Sequence, residues 1–334
     1  MSITRLHKIA LASATLMSAL GAQAQTDNAV SFYGLVDMSV GATKAPGGTS
    51  STSLDSGKMT TSFIGFGGKE DLGGGLSAVF KMEGFVRVNT GAQGRFDGDP
   101  TFARSAFVGL SSKELGTLTL GRNTTALFVS TLLFNAFGDS FGYSPSIRHY
   151  FTSGTVTGDT GWSDSFAYSS PTWSGVRFGV AGASKNGSGV TSNGGNWSAN
   201  AAYGAGPLSS SIVLQRVKKD GASPVDDTRT VQWGGAYDFG VAKAYAQYGE
   251  VDNITKDNTY KISGLGARMP MGAGAWLLQW GQISPETGNG RKTLSFGYLH
   301  NLSKRTELYA VAMSDKVENL SSGSGYSLGI RHRF

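Results

Sequence analysis

The chain has 334 residues with 29 Lys and Arg against 23 Asp and Glu, a mild excess well short of the dense basic stripe that nucleic-acid binding requires. It contains no cysteine, which excludes a disulfide framework and thiol chemistry. Glycine, at 49 residues, is about twice its average share, while proline is scarce at 8, so the composition is not that of a disordered low-complexity chain.

Residues 1–24 read as an export signal rather than as fold. Arg5, His7 and Lys8 form a basic start, residues 9–20 an apolar run too short to span a bilayer, and Ala22-Gln23-Ala24 a small-x-small cleavage site. Cleavage before Gln25 leaves 310 residues, and with Arg5 and Lys8 gone the formal balance is +4. No later stretch approaches eighteen apolar residues, and mean hydropathy is slightly negative, so transmembrane helices are excluded. A membrane β-barrel stays open, because its lipid-facing and water-facing residues alternate and average out.

Period-two alternation gives sixteen candidate strands. The first, about 29–43, sets Phe32, Gly34, Val36, Met38 and Val40 against Ser31, Tyr33, Asp37 and Ser39. A Gly/Ser-rich loop at 45–58 precedes a second strand over 60–70, and Asp71-Leu72-Gly73-Gly74 forms a tight turn. The third strand sends Ala78, Phe80 and Met82 one way and Lys81, Glu83 and Arg87 the other, so one face is wet. Strands at 102–115 and 117–122 follow. The metre then breaks over residues 123–163. That stretch starts with apolar residues at helical spacing, capped by Asn123 or Thr124, and continues Gly-rich and aromatic. A loop of about forty residues argues against its neighbours' assignment unless it is functional, and it is read here as a segment folded into a barrel lumen.

Beyond it, strands recur near 165–169, 176–183, 196–203, 208–216, 230–239, 242–250, 259–268, 275–282, 292–300, 305–313 and 325–334. Their connections alternate between short turns and longer polar loops, including 185–194 and 217–229, the layout of an outer-membrane barrel. Trp276, Leu278 and Trp280 share one parity, as do Leu294, Phe296 and Tyr298, and Val231, Trp233 and Tyr237, which suits a lipid face with aromatic girdles. The last strand alternates up to an aromatic Phe334 and must close on the first so that no backbone edge meets lipid. A β-sandwich is disfavoured by the number of strands. The expectation is an all-β, 16-stranded antiparallel transmembrane barrel forming one domain over 25–334, with 123–163 narrowing its pore.

Phe32-Tyr33-Gly34-Leu35-Val36-Asp37, residues 68–76, Ala106-Phe107-Val108-Gly109-Leu110 through Leu120-Gly121-Arg122, and Arg331-His332-Arg333-Phe334 together resemble the Gram-negative general porin family, in particular the trimeric porins of beta-proteobacteria. The resemblance implies a homotrimer in the outer membrane among lipid and lipopolysaccharide, a third external loop bent inward, and passage of small hydrophilic solutes and ions. It also implies a basic residue where this chain has Phe63.

A passive pore needs charges around a narrow wet passage and no nucleophile. Parity and closeness to the loop nominate Arg104, Arg122, Lys81, Glu83, Arg87 and Arg177 on the wall with Asp37 as an acidic partner, and Asp139, Arg148 and Asp159 on the loop. The basic majority favours a weak anion preference. No cofactor or metal is expected: Gly290-Arg291-Lys292-Thr293 lacks the glycine before lysine of a phosphate loop, and Asp97-Gly98-Asp99 reads as a solvated turn. His149, His300 and His332 are scattered without triad or metal spacing, so a barrel hydrolase built on His149 is the alternative from another class, and a substrate-selective channel the alternative within this one.

Overall fold

The computed structural model describes residues 29–152, 160–183, 195–218 and 227–334. The predicted export segment, loop residue Asp159 and most of the loops at 185–194 and 217–229 lie outside the described residues. In chain order the strands are β1 (Ala29–Lys44), β2 (Ser50–Ser56), β3 (Phe63–Gly73), β4 (Leu76–Arg87), β5 (Ala92–Gln93), β6 (Ser105–Ser112), β7 (Gly116–Thr124), β8 (Gly161–Ser169) and β9 (Val176–Ala183). They continue as β10 (Asn196–Ala205), β11 (Leu208–Val217), β12 (Thr228–Asp238), β13 (Lys243–Asn253), β14 (Asn258–Met271), β15 (Gly274–Pro285), β16 (Arg291–Asn301), β17 (Thr306–Val317) and β18 (Gly323–Arg333).

The wall is a 16-stranded antiparallel barrel. Neighbours in sequence pair in turn, and β18 closes on β1 from Leu35 opposite Arg333 to Lys44 opposite Ser324. Gly34 and Phe334 exchange backbone hydrogen bonds at 3.2 Å in each direction, which seals the seam at its base. Closure leaves no edge strand, the condition for burying a sheet in lipid. The two named strands in excess of sixteen are explained by β5, a two-residue pairing in an outer loop, and by β2, which belongs to the second wall strand. β2 pairs with β1 at Met38–Lys44 and β3 pairs with it at Ala29–Leu35; between them residues 57–62 leave the wall. The loop expected over 45–58 is therefore a hairpin whose return limb is strand, and the irregular part is the detour after it.

Solubility rules are inverted across this wall. Leu278, Leu294, Phe296, Val231 and Trp233 are exposed, while Gln232, Gln279 and Ser295 on the opposite parity are wholly buried. Period two places each set on one face, and only lipid outside with packed polar groups inside makes that arrangement stable. The aromatic girdle lies toward the rim of short turns: Trp276 sits 4.6 Å from Tyr298 and Tyr237 4.7 Å from Phe239, centroid to centroid. At the turn after Tyr237, Gly240 takes a positive φ of 82° while Phe239 N donates to Ala242 O at 2.9 Å.

The core of the molecule is the contact between the inward loop and one half of the wall. One cluster joins Ala136, Phe137 and Tyr143 of the loop to Leu277, Leu299, Tyr309, Val311 and Met313 of the wall and to Met59 of the detour. A second joins Leu127 and Tyr150 to Val213, Val251, Ile262 and Ile283. Each fully buried aliphatic side chain contributes roughly 1.5–3 kcal/mol, so these clusters fix the loop's course more firmly than any single polar contact.

Candidate pore constriction

The inserted segment runs from the end of β7 at Thr124 to the start of β8 at Gly161, within the span expected, and its described residues form two helices rather than a single helical start. Thr125, not Asn123 or Thr124, caps α1 (Ala126–Leu133), its hydroxyl accepting from Phe128 N at 3.3 Å. A second helix, α2 (Pro145–Phe151), opens with Ser144 as cap and Pro145 in the first turn, where a missing N–H costs nothing. Asn135 ties the elbow between them: its amide donates to Thr131 O at 2.7 Å and Gly138 O at 2.9 Å, and its oxygen accepts from Phe137 N at 2.8 Å and the Ser144 hydroxyl at 3.0 Å.

Polar inward side chains of the wall receive this segment. The Ser130 and Ser211 hydroxyls meet at 2.7 Å, Gln232 donates to the Thr131 hydroxyl at 2.8 Å, and Gln247 donates to Thr131 O at 2.7 Å. Further along, Gln279 accepts from Ala136 N at 3.0 Å, Ser295 donates to Tyr143 O at 2.6 Å, and the Tyr143 hydroxyl meets that of Ser327. Close approach depends on one inward glycine in each of five successive strands. A Cβ at Gly234 would stand 2.8 Å from Phe134 Cγ, one at Gly249 3.1 Å from Tyr150 Cζ, and one at Gly264 3.0 Å from Ser146 Oγ. At Gly281 it would meet Pro145 Cβ at 2.7 Å, and at Gly297 Phe137 Cε1 at 3.3 Å.

The loop tip is fastened to the detour at 57–62. Lys58 O accepts from the Ser140 hydroxyl at 2.7 Å and from Gly142 N at 3.0 Å, and the Thr60 hydroxyl donates to Asp139 Oδ1 at 3.0 Å. The detour in turn hangs on Asp37, whose carboxylate accepts from Met59 N at 2.8 Å, Thr60 N at 2.7 Å and the Tyr309 hydroxyl at 2.6 Å. Asp37 has no exposed surface. It was expected to face the water as an acidic partner; it is instead the peg that holds the detour in the lumen.

Opposite the tip stands the wall of β1, β3, β4 and β6. The Arg104 guanidinium lies 4.1 Å over the Phe63 ring and contacts Glu83, which also accepts from the Tyr33 hydroxyl at 2.8 Å and has Lys81 Nζ at 3.6 Å. A ring at position 63 thus replaces a charge with a flat support for one, a cation–π arrangement. A cavity of about 510 Å³ separates this wall from the tip and is lined by Arg104, Phe63, Asp139, Arg268, Arg331 and Arg333 among others.

Of the residues nominated from sequence, Arg104 and Asp139 line this opening, and Glu83 and Lys81 stand behind Arg104. The others are placed elsewhere. Arg122 is buried and donates to Ala103 O, to Gly161 O at 3.2 Å and to Ser163 Oγ at 3.0 Å, tying together the chain on both sides of the loop. Arg148 Nη2 binds Asp315 at 2.8 Å and docks α2. Arg87 stands at the outer end of β4 and pairs with Asp97. Arg177 lines a separate cavity beside α1.

The charges share a common plan that was not legible in sequence. Glu83 is held by Arg104 and Lys81, Asp315 by Arg148 and Arg291, and Glu307 by Arg331 and Arg333. Each carboxylate serves two cations. His149, fully buried, faces the Thr293 hydroxyl at 3.0 Å, and burial, with Arg291 nearby, holds its pKa down to about 3. Such an imidazole is neutral and enclosed, a packing element without access to substrate.

The family model for Gram-negative porins matches residues 10–320. Outer membrane porin protein 32 of Delftia acidovorans is 30% identical, with 98% of this chain and 100% of that protein aligned. Among solved structures, an anion-selective porin from Comamonas acidovorans superposes with a TM-score of 0.80 at 27% identity, covering 92% of this chain and 100% of that one. The trimer form of OmpT, an outer membrane protein of Vibrio cholerae, superposes with a TM-score of 0.69 at 12% identity over 92% of this chain and 100% of its own, a likeness of fold alone.

Proposed function

The chain belongs to the Gram-negative porin family and is an outer-membrane channel, not an enzyme, and from that premise we propose that it passes small hydrophilic solutes and ions by passive diffusion with a weak preference for anions. The observation that carries the preference is the pairing of Glu83 and of Asp315 each with two cations, which leaves a net positive charge at both clusters. Arg268 lines the same opening, and no carboxylate pairs with it among the described residues. A narrow passage with low-dielectric walls focuses such an excess, raising the local anion concentration. The described similarity to an anion-selective porin supports the same sign.

The reading includes removal of residues 1–24 on export, a single barrel domain constricted by the inserted loop, and assembly as a homotrimer surrounded by lipid and lipopolysaccharide. A trimeric relative of the same fold supports the assembly. Zero-current potentials across a planar bilayer in a salt gradient test the selectivity: the wild type should report anion preference, and Arg104→Glu should reduce or reverse it. Clear cation preference in the wild type defeats the proposal.

A further inference from the structure

Beside α1 lies a second cavity of about 610 Å³. It exists because the inward residues of β8 to β11 are small there: Ala167, Gly179, Ala181, Ser198, Ala202 and Ser209 leave the wall low. α1 does not fill the space. Leu127, Ser130 and Thr131 of this helix are buried against the wall, while Val129 and Leu133, one turn apart, line the cavity with 39% and 53% of their surfaces exposed. Two large apolar side chains facing a hydrated lumen give up the stabilisation that burial would provide.

The polar part of the lining is one-sided in charge. Arg177 is exposed on β9, and Lys243 stands at the start of β13, half-buried with its amine 5.6 Å from the Tyr245 ring. No Asp or Glu lines the cavity, and neither cation has an ion pair among the described residues. This differs from the constriction, where every cluster includes its own carboxylate. The size falls within the range of small-molecule sites, and an apolar patch with a few convergent polar groups is their usual chemistry.

We propose that this cavity is a binding subsite for small amphipathic monocarboxylates, solutes with an apolar ring or chain that packs on Val129 and Leu133 while the carboxylate meets Arg177. The inference rests on the channel reading and adds a solute class to it. Such a subsite, beside the narrow passage rather than in it, holds a solute that has crossed or is about to cross. Its residence slows ion flow without permanently closing the pore.

The test uses purified protein in planar bilayers and, separately, in detergent by titration calorimetry, with 3-phenylpropionate as probe and acetate and 3-phenylpropanol as controls. Expected are transient current interruptions and measurable binding for 3-phenylpropionate, with apparent affinity about tenfold or more above either control. Leu133→Ser and Arg177→Ser should each weaken it by about tenfold, and Arg177→Lys should retain most of it. Equal behaviour of acetate and 3-phenylpropionate, or binding untouched by Leu133→Ser, overturns the subsite. Loss of salt conductance in the wild type would overturn the channel reading instead, while calorimetry would still decide the subsite.

Discussion

Gly234→Ala is the sharpest single probe of how the inserted loop is seated. Gly234 points inward from β12, and an added methyl would stand 2.8 Å from Phe134 Cγ and 3.1 Å from Phe134 Cβ, well inside the roughly 3.5–4.0 Å of an optimal carbon contact. Phe134 cannot step aside easily: it is 4% exposed, and as the C-cap of α1 its N–H donates to Ser130 O at 3.2 Å. Overpacking of this kind costs about 1–3 kcal/mol. A net hydrogen bond is worth about 0.5–1.5 kcal/mol, so the strain matches one or two of the contacts that Ser211, Gln232 and Gln247 make to this helix. The end of α1 should lift while the wall, held by its own ladder, forms normally. Single-channel recordings should show increased open-channel noise and altered conductance, with unchanged strand content by circular dichroism. Adding Phe134→Ala should restore quiet conduction, with a coupling of about 1–2 kcal/mol in a double-mutant cycle. A variant as quiet as the wild type, or strictly additive effects, would refute a seat made by absent side chains.

Glu83→Gln removes the carboxylate shared by Arg104 and Lys81 and should move zero-current potentials further toward anions; a move toward cations contradicts the charge plan. Asp315→Asn leaves Arg148 and Arg291 adjacent, with side chains only 19% and 17% exposed, and breaking such a buried set costs about 3–5 kcal/mol. Limited proteolysis should then cut the inserted loop faster at unchanged strand content, and equal cleavage rates would count against α2 being anchored there. For His149, the pKa of about 3 in the docked loop lies below the ordinary 6.5, so the undocked state takes up a proton first. Docking is fully favoured above about pH 6.5 and weakens as the pH falls toward 3. Hydrogen exchange of loop amides should report this loss, and His149→Gln should flatten the part of the pH dependence that comes from the imidazole.

The wall was readable because each strand carries its own instruction: alternation of Leu294, Phe296 and Tyr298 with Thr293, Ser295 and Gly297 needs no distant partner to be recognised. The inserted loop was readable as an interruption of that metre. What stayed hidden depends on partners far apart in the chain. The second strand breaks at Gly57 because Asp37 receives Met59 N and Thr60 N and is braced by Tyr309, 272 residues away. No local pattern foretells that pairing, and on parity alone Asp37 looks like any wet-face carboxylate. Asp315 was missed in the same way, since its arginine on α2 is 167 residues distant. The glycine seat did leave a trace. Gly234, Gly249, Gly264, Gly281 and Gly297 recur strand after strand on the water-facing parity, a regularity concealed by the abundance of glycine elsewhere.

The seat and the Glu83 cluster occupy different halves of the barrel. β12 to β16 contribute glycine, glutamine and small hydroxyls that accept the loop, whereas β1, β3 and β4 contribute Tyr33, Phe63 and Glu83 across the opening, with Arg104 just before β6. This division changes how the inward carboxylates should be understood. Two guanidiniums or ammoniums brought close in a low-dielectric lumen repel each other, and an acid between them offsets that repulsion. Glu83, Asp315 and Glu307 are therefore compatible with the proposed anion preference; each keeps a pair of cations in place at the expense of one unit of charge. Removing such an acid separates two properties that a simple charge count merges. Selectivity, set by net charge, should rise when Glu83 is neutralised, while conductance, set by where Arg104 is held over Phe63, should become noisier in the same variant.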